Sequence, residues 1–172
     1  MANRHLCVAI YTTHNQADEA FSRFQARGFG MDVLSFVGRD YWRDMVGSRN
    51  AGERFLYRGI HGAFWEKLWA VLKGWGVFWL FDSGPMVVAG SLVRTIVATQ
   101  EEGNGNGHAS GFEAALAGIG IPPDSLIEYE KALKNDQILV FIEGTLHEID
   151  QAQDILHETK AINHTVHHGA TN

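Results

Sequence analysis

Apolar runs that suit β-strands alternate with amphipathic segments that suit α-helices, and this order constrains the fold more than any other feature of the chain. Residues 6–12 form an almost continuous apolar and β-branched run, which predicts a buried strand. The next segment has apolar residues at helical spacing and predicts a helix from Asn15 to Gly28. Further strands are predicted at 31–37, 86–90 and 137–143, and further helices at 60–81, 92–99, 112–116 and 146–161, with another opening at Asp124. Such an order indicates a mixed α+β fold.

Within this class, the element order predicts a ferredoxin-like sandwich, in which a four-stranded antiparallel sheet carries helices on one face. A helical insertion rich in tryptophan, at about 53–82, would separate the second and third strands. The length of 172 residues is within the usual size of a single domain. We therefore expect one domain over residues 1–162 and a polar, histidine-containing tail at 163–172.

Four of the five tryptophans fall within one short segment and would share one helix. An amphipathic surface helix normally buries one stripe and exposes a polar face, but this segment has apolar side chains beyond one stripe. These additional apolar side chains predict an interface, which would be covered by something other than the chain's own core. The predicted interface residues are Phe64, Trp65, Trp69, Trp75, Phe78 and Trp79. A homo-oligomer is the expected partner arrangement.

Charge and hydropathy exclude several classes of partner. The net charge of −6 and the absence of a basic block argue against a nucleic-acid partner. The apolar stretch 74–98 is broken by residues 82–85 and by Arg94, so it is too short to span a bilayer. Peripheral contact between an aromatic helix and a membrane surface stays open. The N-terminus lacks a signal-peptide pattern, and we expect a cytoplasmic protein.

Histidines near the C-terminus are the leading candidates for chemistry. If the last helix continued through residue 168, His157, His164 and His168 would lie within about 40° of one another around its axis. Imidazoles at such spacing suit zinc, nickel or copper, and residues four apart on a helix can share one ion. A divalent transition metal is therefore the one cofactor that the sequence leaves open. The competing interpretation is a polar tail that binds metal only adventitiously.

Catalytic signatures are sparse, and no catalytic residue is assigned. The chain lacks the G-x-S-x-G nucleophile motif, and its only cysteine, Cys7, sits in an apolar strand, where a buried thiol is expected. A pocket between the sheet and the insertion could draw only on polar residues at predicted strand ends. These residues are Tyr11, His14, Arg39 and Tyr41. A small-molecule enzyme or ligand binder is therefore the third hypothesis.

Four segments of the chain resemble the heat-induced general stress protein domain family. Residues 118–122 (GIGIP), 129–134 (YEKALK) and 138–143 (ILVFIE) are similar to the closing half of that family, and residues 84–90 (GPMVVAG) are similar to its central element. The resemblance implies a bacterial, stress-associated protein without a known cofactor, and it brings no catalytic set. The first hypothesis is therefore a non-enzymatic stress-associated protein that self-associates or binds a partner through its aromatic helix. A metal-binding or metal-sensing protein is the second.

Overall fold

The computed structural model describes residues 4–39, 62–72, 74–80, 84–101 and 111–168. The strands in these ranges are β1 (His5–Tyr11), β2 (Leu34–Arg39), β3 (Trp75–Leu80), β4 (Gly84–Gly90), β5 (Ile138–Gly144) and β6 (Asn163–His167). The α-helices are α1 (His14–Ala26), α2 (Gly62–Val71), α3 (Leu92–Glu101), α4 (Gly111–Gly118), α5 (Pro123–Lys134) and α6 (Leu146–His157). A short 3-10 turn, Met31–Val33, precedes β2. None of the described helices is long and apolar enough to cross a membrane.

All six strands join one sheet in the order β3-β4-β2-β5-β1-β6, and every neighbouring pair is antiparallel. All seven residues of β1 are buried, and six of the seven residues of β5 are buried. Strands that are covered on both faces have such continuous apolar runs, because neither face needs polar side chains. The interior of the sheet is therefore closed to solvent on both sides.

Two hydrophobic cores lie on the opposite faces of the sheet. Alternate side chains of a strand point to opposite faces, so β1 contributes Cys7, Ala9 and Tyr11 to one core and its other apolar residues to the second. Buried residues of α1, α2 and α6 complete the first core. Buried residues of α3, α4 and α5 complete the second. The result is a three-layer arrangement with helices on both faces.

The mixed α+β class with an antiparallel sheet is confirmed, but the predicted architecture needs two corrections. The described sheet has six strands instead of four, and helices cover both of its faces instead of one. The two additional strands occupy segments that were predicted as helix and tail: β3 lies in the predicted helix 60–81, and β6 lies in the predicted tail. Residues 53–61 of the predicted insertion and 169–172 of the predicted tail lie outside the described residues.

A glycine contact explains why the helix does not continue through residue 81. Gly74 has a φ of +102°, a left-handed conformation that side-chain-bearing residues rarely adopt. Its carbonyl oxygen accepts a hydrogen bond of 2.8 Å from the amide of Gly90, which itself has a φ of +115°. The chain therefore turns at Gly74 against the end of β4, and Trp75 begins a strand.

Replacing Gly74 with alanine should destabilise the fold through this contact. The added Cβ would lie 2.8 Å from the carbonyl oxygen of Gly90, and we expect the free energy of unfolding to fall by about 1–3 kcal/mol. Denaturant unfolding measures the loss. Gly118→Ala is the matched control, because a Cβ at Gly118 meets nothing within 4 Å and should leave the stability unchanged or slightly raised. Equal losses in the two variants would contradict this role of Gly74.

The N-terminus of α6 carries a reciprocal cap that makes its stability depend on pH. The Thr145 hydroxyl accepts a hydrogen bond from the Glu148 amide at 3.3 Å, and the Glu148 carboxylate accepts one from the Thr145 amide at 2.7 Å. The bond from the Thr145 backbone lowers the pKa of Glu148. Because the folded pKa lies below the unfolded one, the stabilisation is complete above the unfolded pKa and is lost as the pH falls through the folded pKa.

We therefore expect the stability difference between the wild type and Glu148→Gln to be largest near neutral pH. It should shrink as the pH is lowered below about 4.3, the ordinary glutamate value. Urea unfolding at a series of pH values measures it. Gln151→Ala, an uncharged and exposed position of the same helix, is the control and should give a difference that does not change with pH. A Glu148→Gln difference that grows in acid would refute the role of the carboxylate in the cap.

Candidate functional site

The aromatic residues that were predicted to share one helical interface are divided between two elements. Phe64, Trp65 and Trp69 lie on α2, which ends at Val71. The other three predicted interface residues, Trp75, Phe78 and Trp79, lie on β3. The prediction of a single helix is wrong beyond residue 72, because Gly74 turns the chain into a strand.

The side chains of α2 pack on this chain's own core. Trp65 is fully buried, and its ring lies 5.0 Å from that of Phe64 and 6.2 Å from that of His14, measured between centroids. Phe64 and Trp69 are partly buried against the same core. Trp65 is therefore a core residue, which corrects its predicted place on an interface.

β3 is a terminal strand of the described sheet, and β4 is its one described neighbour. In the register of this pair, Trp75 lies opposite Ala89 and Trp79 lies opposite Pro85. The strand sequence WGVFWL has three aromatic residues and no charged residue or proline. Natural edge strands usually carry charges, proline or bulges, which prevent pairing with another strand.

The predicted ladder of three histidines on one helix is not formed. α6 ends at His157, His164 lies on β6, and His168 follows that strand. A strand rises about 3.3 Å per residue, so His164 and His168 are about 13 Å apart along it and cannot share one ion. Among the residues that the structure describes, no group of three or more His, Cys, Asp or Glu side chains could hold a metal ion.

The structure instead forms two histidine pairs on one face of the β1–β6 edge. The rings of His157 and His164 have centroids 5.1 Å apart. The second pair joins His168 to His5, with 3.3 Å between the two Nδ1 atoms and 5.2 Å between the ring centroids. His5 was missed at the sequence level, because only the pairing of Leu6 with His167 reveals that it neighbours His168.

His167 points to the opposite face of β6, where it contacts Tyr129 of the second core. Its Nε2 atom lies 2.6 Å from the hydroxyl oxygen of Tyr129, a residue that is 1% exposed. Burial lowers the pKa of His167, while the negative charge of Glu128 opposes this effect. Burial also lowers the pKa of His164, and the neighbouring His157 lowers it further. Both rings therefore favour the neutral imidazole, the form that accepts hydrogen bonds and binds metals.

Three of the four polar residues that were predicted to line a pocket lie in the described part of the chain, and each of the three has a structural role. The Tyr11 hydroxyl hydrogen-bonds to Thr159 Oγ1 at 2.8 Å, and His14 packs against the rings of Phe64 and Trp65. Arg39 donates a hydrogen bond of 3.2 Å to the carbonyl oxygen of Lys134. Tyr41 lies outside the described residues.

A cleft of about 410 Å³ opens between the end of α1 and one side of α6. It is lined by residues 27–30, Asp32, Val33, Glu148, Gln151, Asp154 and Ile155. Two of its charged groups have other partners, since Arg27 forms an ion pair with Glu158 and Glu148 belongs to the helix cap. The cleft therefore presents few converging polar groups of the kind that orient a small ligand.

Comparison with known proteins gives no relative: no protein-family model, no curated protein and no solved structure matches this chain.

Cys7 is fully buried, as the apolar run around it predicted. Burial raises the pKa of its thiol to about 12, because a thiolate is disfavoured in an apolar core.

We expect an aromatic disulfide reagent at pH 8 to react with the folded chain at least about 100-fold more slowly than with the chain in guanidinium, since the thiolate is the reactive form. Ala117→Cys, at an exposed helical position, is the positive control. Equal native rates for Cys7 and this control would contradict the burial.

Proposed function

We propose that this chain is a non-enzymatic protein that associates with a second copy of itself through the outer edge of β3. The observation that carries the proposal is the position of an uncharged, aromatic strand at the end of the described sheet. An edge strand offers a row of backbone donors and acceptors, and another strand can complete their hydrogen bonds.

The two ends of the sheet differ in the way that this proposal requires. β6, the other terminal strand, has the sequence NHTVH, with polar or ionisable residues at four of five positions. Such residues protect an edge from pairing, whereas the WGVFWL sequence of β3 has none of that protection. Pairing is therefore expected at the β3 end.

Two copies can meet at β3 through a twofold axis. Antiparallel pairing of β3 with its symmetry mate presents the same patch on both subunits, as closed homodimers require. Trp75 and Trp79 lie on this strand, and large aromatic side chains are the residues that most often anchor protein interfaces. The proposal thus keeps the part of the predicted interface that lies on β3 and places it on a sheet edge instead of a helix.

The proposed cellular setting is supported by the sequence alone. The resemblance to the heat-induced general stress protein family supports a stress-associated role in a bacterial cytoplasm. In this interpretation the dimer is the working form of the protein, and a membrane surface is the competing occupant of the aromatic edge.

Native mass spectrometry of the untagged chain tests the proposal. We expect the 19.1 kDa chain to form a dimer and Trp75→Ser/Trp79→Ser to form a monomer. The matched control is Trp69→Ser, which removes a tryptophan that packs on the chain's own core. This control should lower the unfolding midpoint but leave the dimer intact.

Circular dichroism of each variant shows whether it remains folded. A monomeric wild type would sink the proposal, and so would a folded double variant that remains dimeric. Co-sedimentation with anionic vesicles by a monomeric wild type would assign the edge to lipid instead.

A further inference from the structure

We propose that His5 and His168 form a binding site for a divalent transition metal ion, with zinc as the preferred ion, that links β1 to the end of β6. The proposal goes beyond self-association and depends on a different observation at the opposite end of the sheet. The pair also differs from the three histidines that the sequence suggested: His168 is kept, and His5 takes the place of the other two.

The separation of the two ligand atoms carries the argument. Zinc binds histidine nitrogen at about 2.0–2.1 Å and is usually tetrahedral, so two nitrogens on one ion are about 3.3–3.4 Å apart. The Nδ1 atoms of His5 and His168 are 3.3 Å apart. At this distance neutral rings can share one N–H···N hydrogen bond between their Nδ1 atoms. When the ring that donates its Nδ1 proton changes to the tautomer that carries the proton on Nε2, both Nδ1 lone pairs are available to an ion. The two rings therefore already have the spacing of zinc ligands.

The backbone around the pair holds the first ligand in place. His5 opens β1, which is paired on one side with β5 and on the other with β6. His5 is 8% exposed, whereas His168 is exposed. A buried ligand on an interior strand loses little freedom on binding, and the exposed ligand leaves an open path for the ion. The site would thus be half preformed and accessible from solvent.

Two protein ligands leave the remaining tetrahedral positions to water or to a group from another molecule. One carboxylate on this side is that of Glu148, whose Oε2 atom would lie 2.7 Å from a Cβ on Gly144, the residue opposite His5. That carboxylate is held by the Thr145 amide in the helix cap. The expected site is therefore an open two-histidine site, in contrast to a closed structural zinc site.

The second histidine pair provides a matched control within the same chain. His157 and His164 also face each other across an α6–β6 contact, with ring centroids 5.1 Å apart. Removing this pair changes the same number of imidazoles without touching the proposed ligands. His147, an exposed histidine of α6, is the control for a single imidazole.

Isothermal titration of the untagged, chelator-treated chain with zinc chloride tests the site. We expect the wild type to bind one zinc ion per chain at this site, and His168→Ala and His5→Ala/His168→Ala to lose that ion. His157→Ala/His164→Ala and His147→Ala should retain it. His168→Ala alters an exposed position after the last strand, so it keeps the test valid even if the double variant unfolds.

Nitrogen-15 spectra of the imidazoles give a second readout, because zinc shifts the resonance of the nitrogen that it binds. The Nδ1 resonances of His5 and His168 should shift on zinc addition. The proposal would be overturned if zinc binding survived His168→Ala or were lost only in His157→Ala/His164→Ala. It would also be overturned if zinc shifted the Nε2 resonances, or if the wild type bound no zinc. The same titration on Trp75→Ser/Trp79→Ser separates the two proposals, since loss of self-association should leave zinc binding intact.

Discussion

Burial of one sheet on both faces is the constraint on which the rest of this structure depends. β1 is buried at all seven positions and supplies alternate side chains to two separate cores. A slip of one residue in its pairing with β5 would exchange those two sets, and helices on both faces would lose their packing partners. The register of the interior strands therefore determines where every helix lies. The order of the strands determines which residues lie at the two ends of the sheet.

The ends of the described sheet are where a strand has a described neighbour on one side alone, and both proposed sites lie near these ends. Interior strands have neighbours on both sides, so their backbone groups are already paired. β3 and β6 each have one described neighbour, and they differ in composition. The aromatic and uncharged β3 suits pairing with another strand, whereas the histidine pair formed by β1 and the residue after β6 suits an ion. One architecture can thus offer two chemically different edges.

Local patterns were sufficient for part of the fold. The apolar run at β1, the amphipathic α1 and the strong β5 strand were predicted correctly, because each pattern spans a whole element and matches a single period. The pattern failed at 74–80, where closely spaced aromatic residues suit a helix as well as a strand. The left-handed backbone of Gly74 decides between the two, and its contact with Gly90 joins segments that are separate in the sequence.

Sequence alone determined the class of the fold, the burial of Cys7 and the presence of surplus aromatic and histidine residues, since composition and periodicity are local properties. The tertiary structure decided how those residues are distributed. Trp65 entered the core, whereas Trp75 and Trp79 came to lie on an edge strand. His168 met His5, which is 163 positions away, because β6 pairs with β1. Such contacts depend on strand register and long-range packing, and no local pattern carries that information.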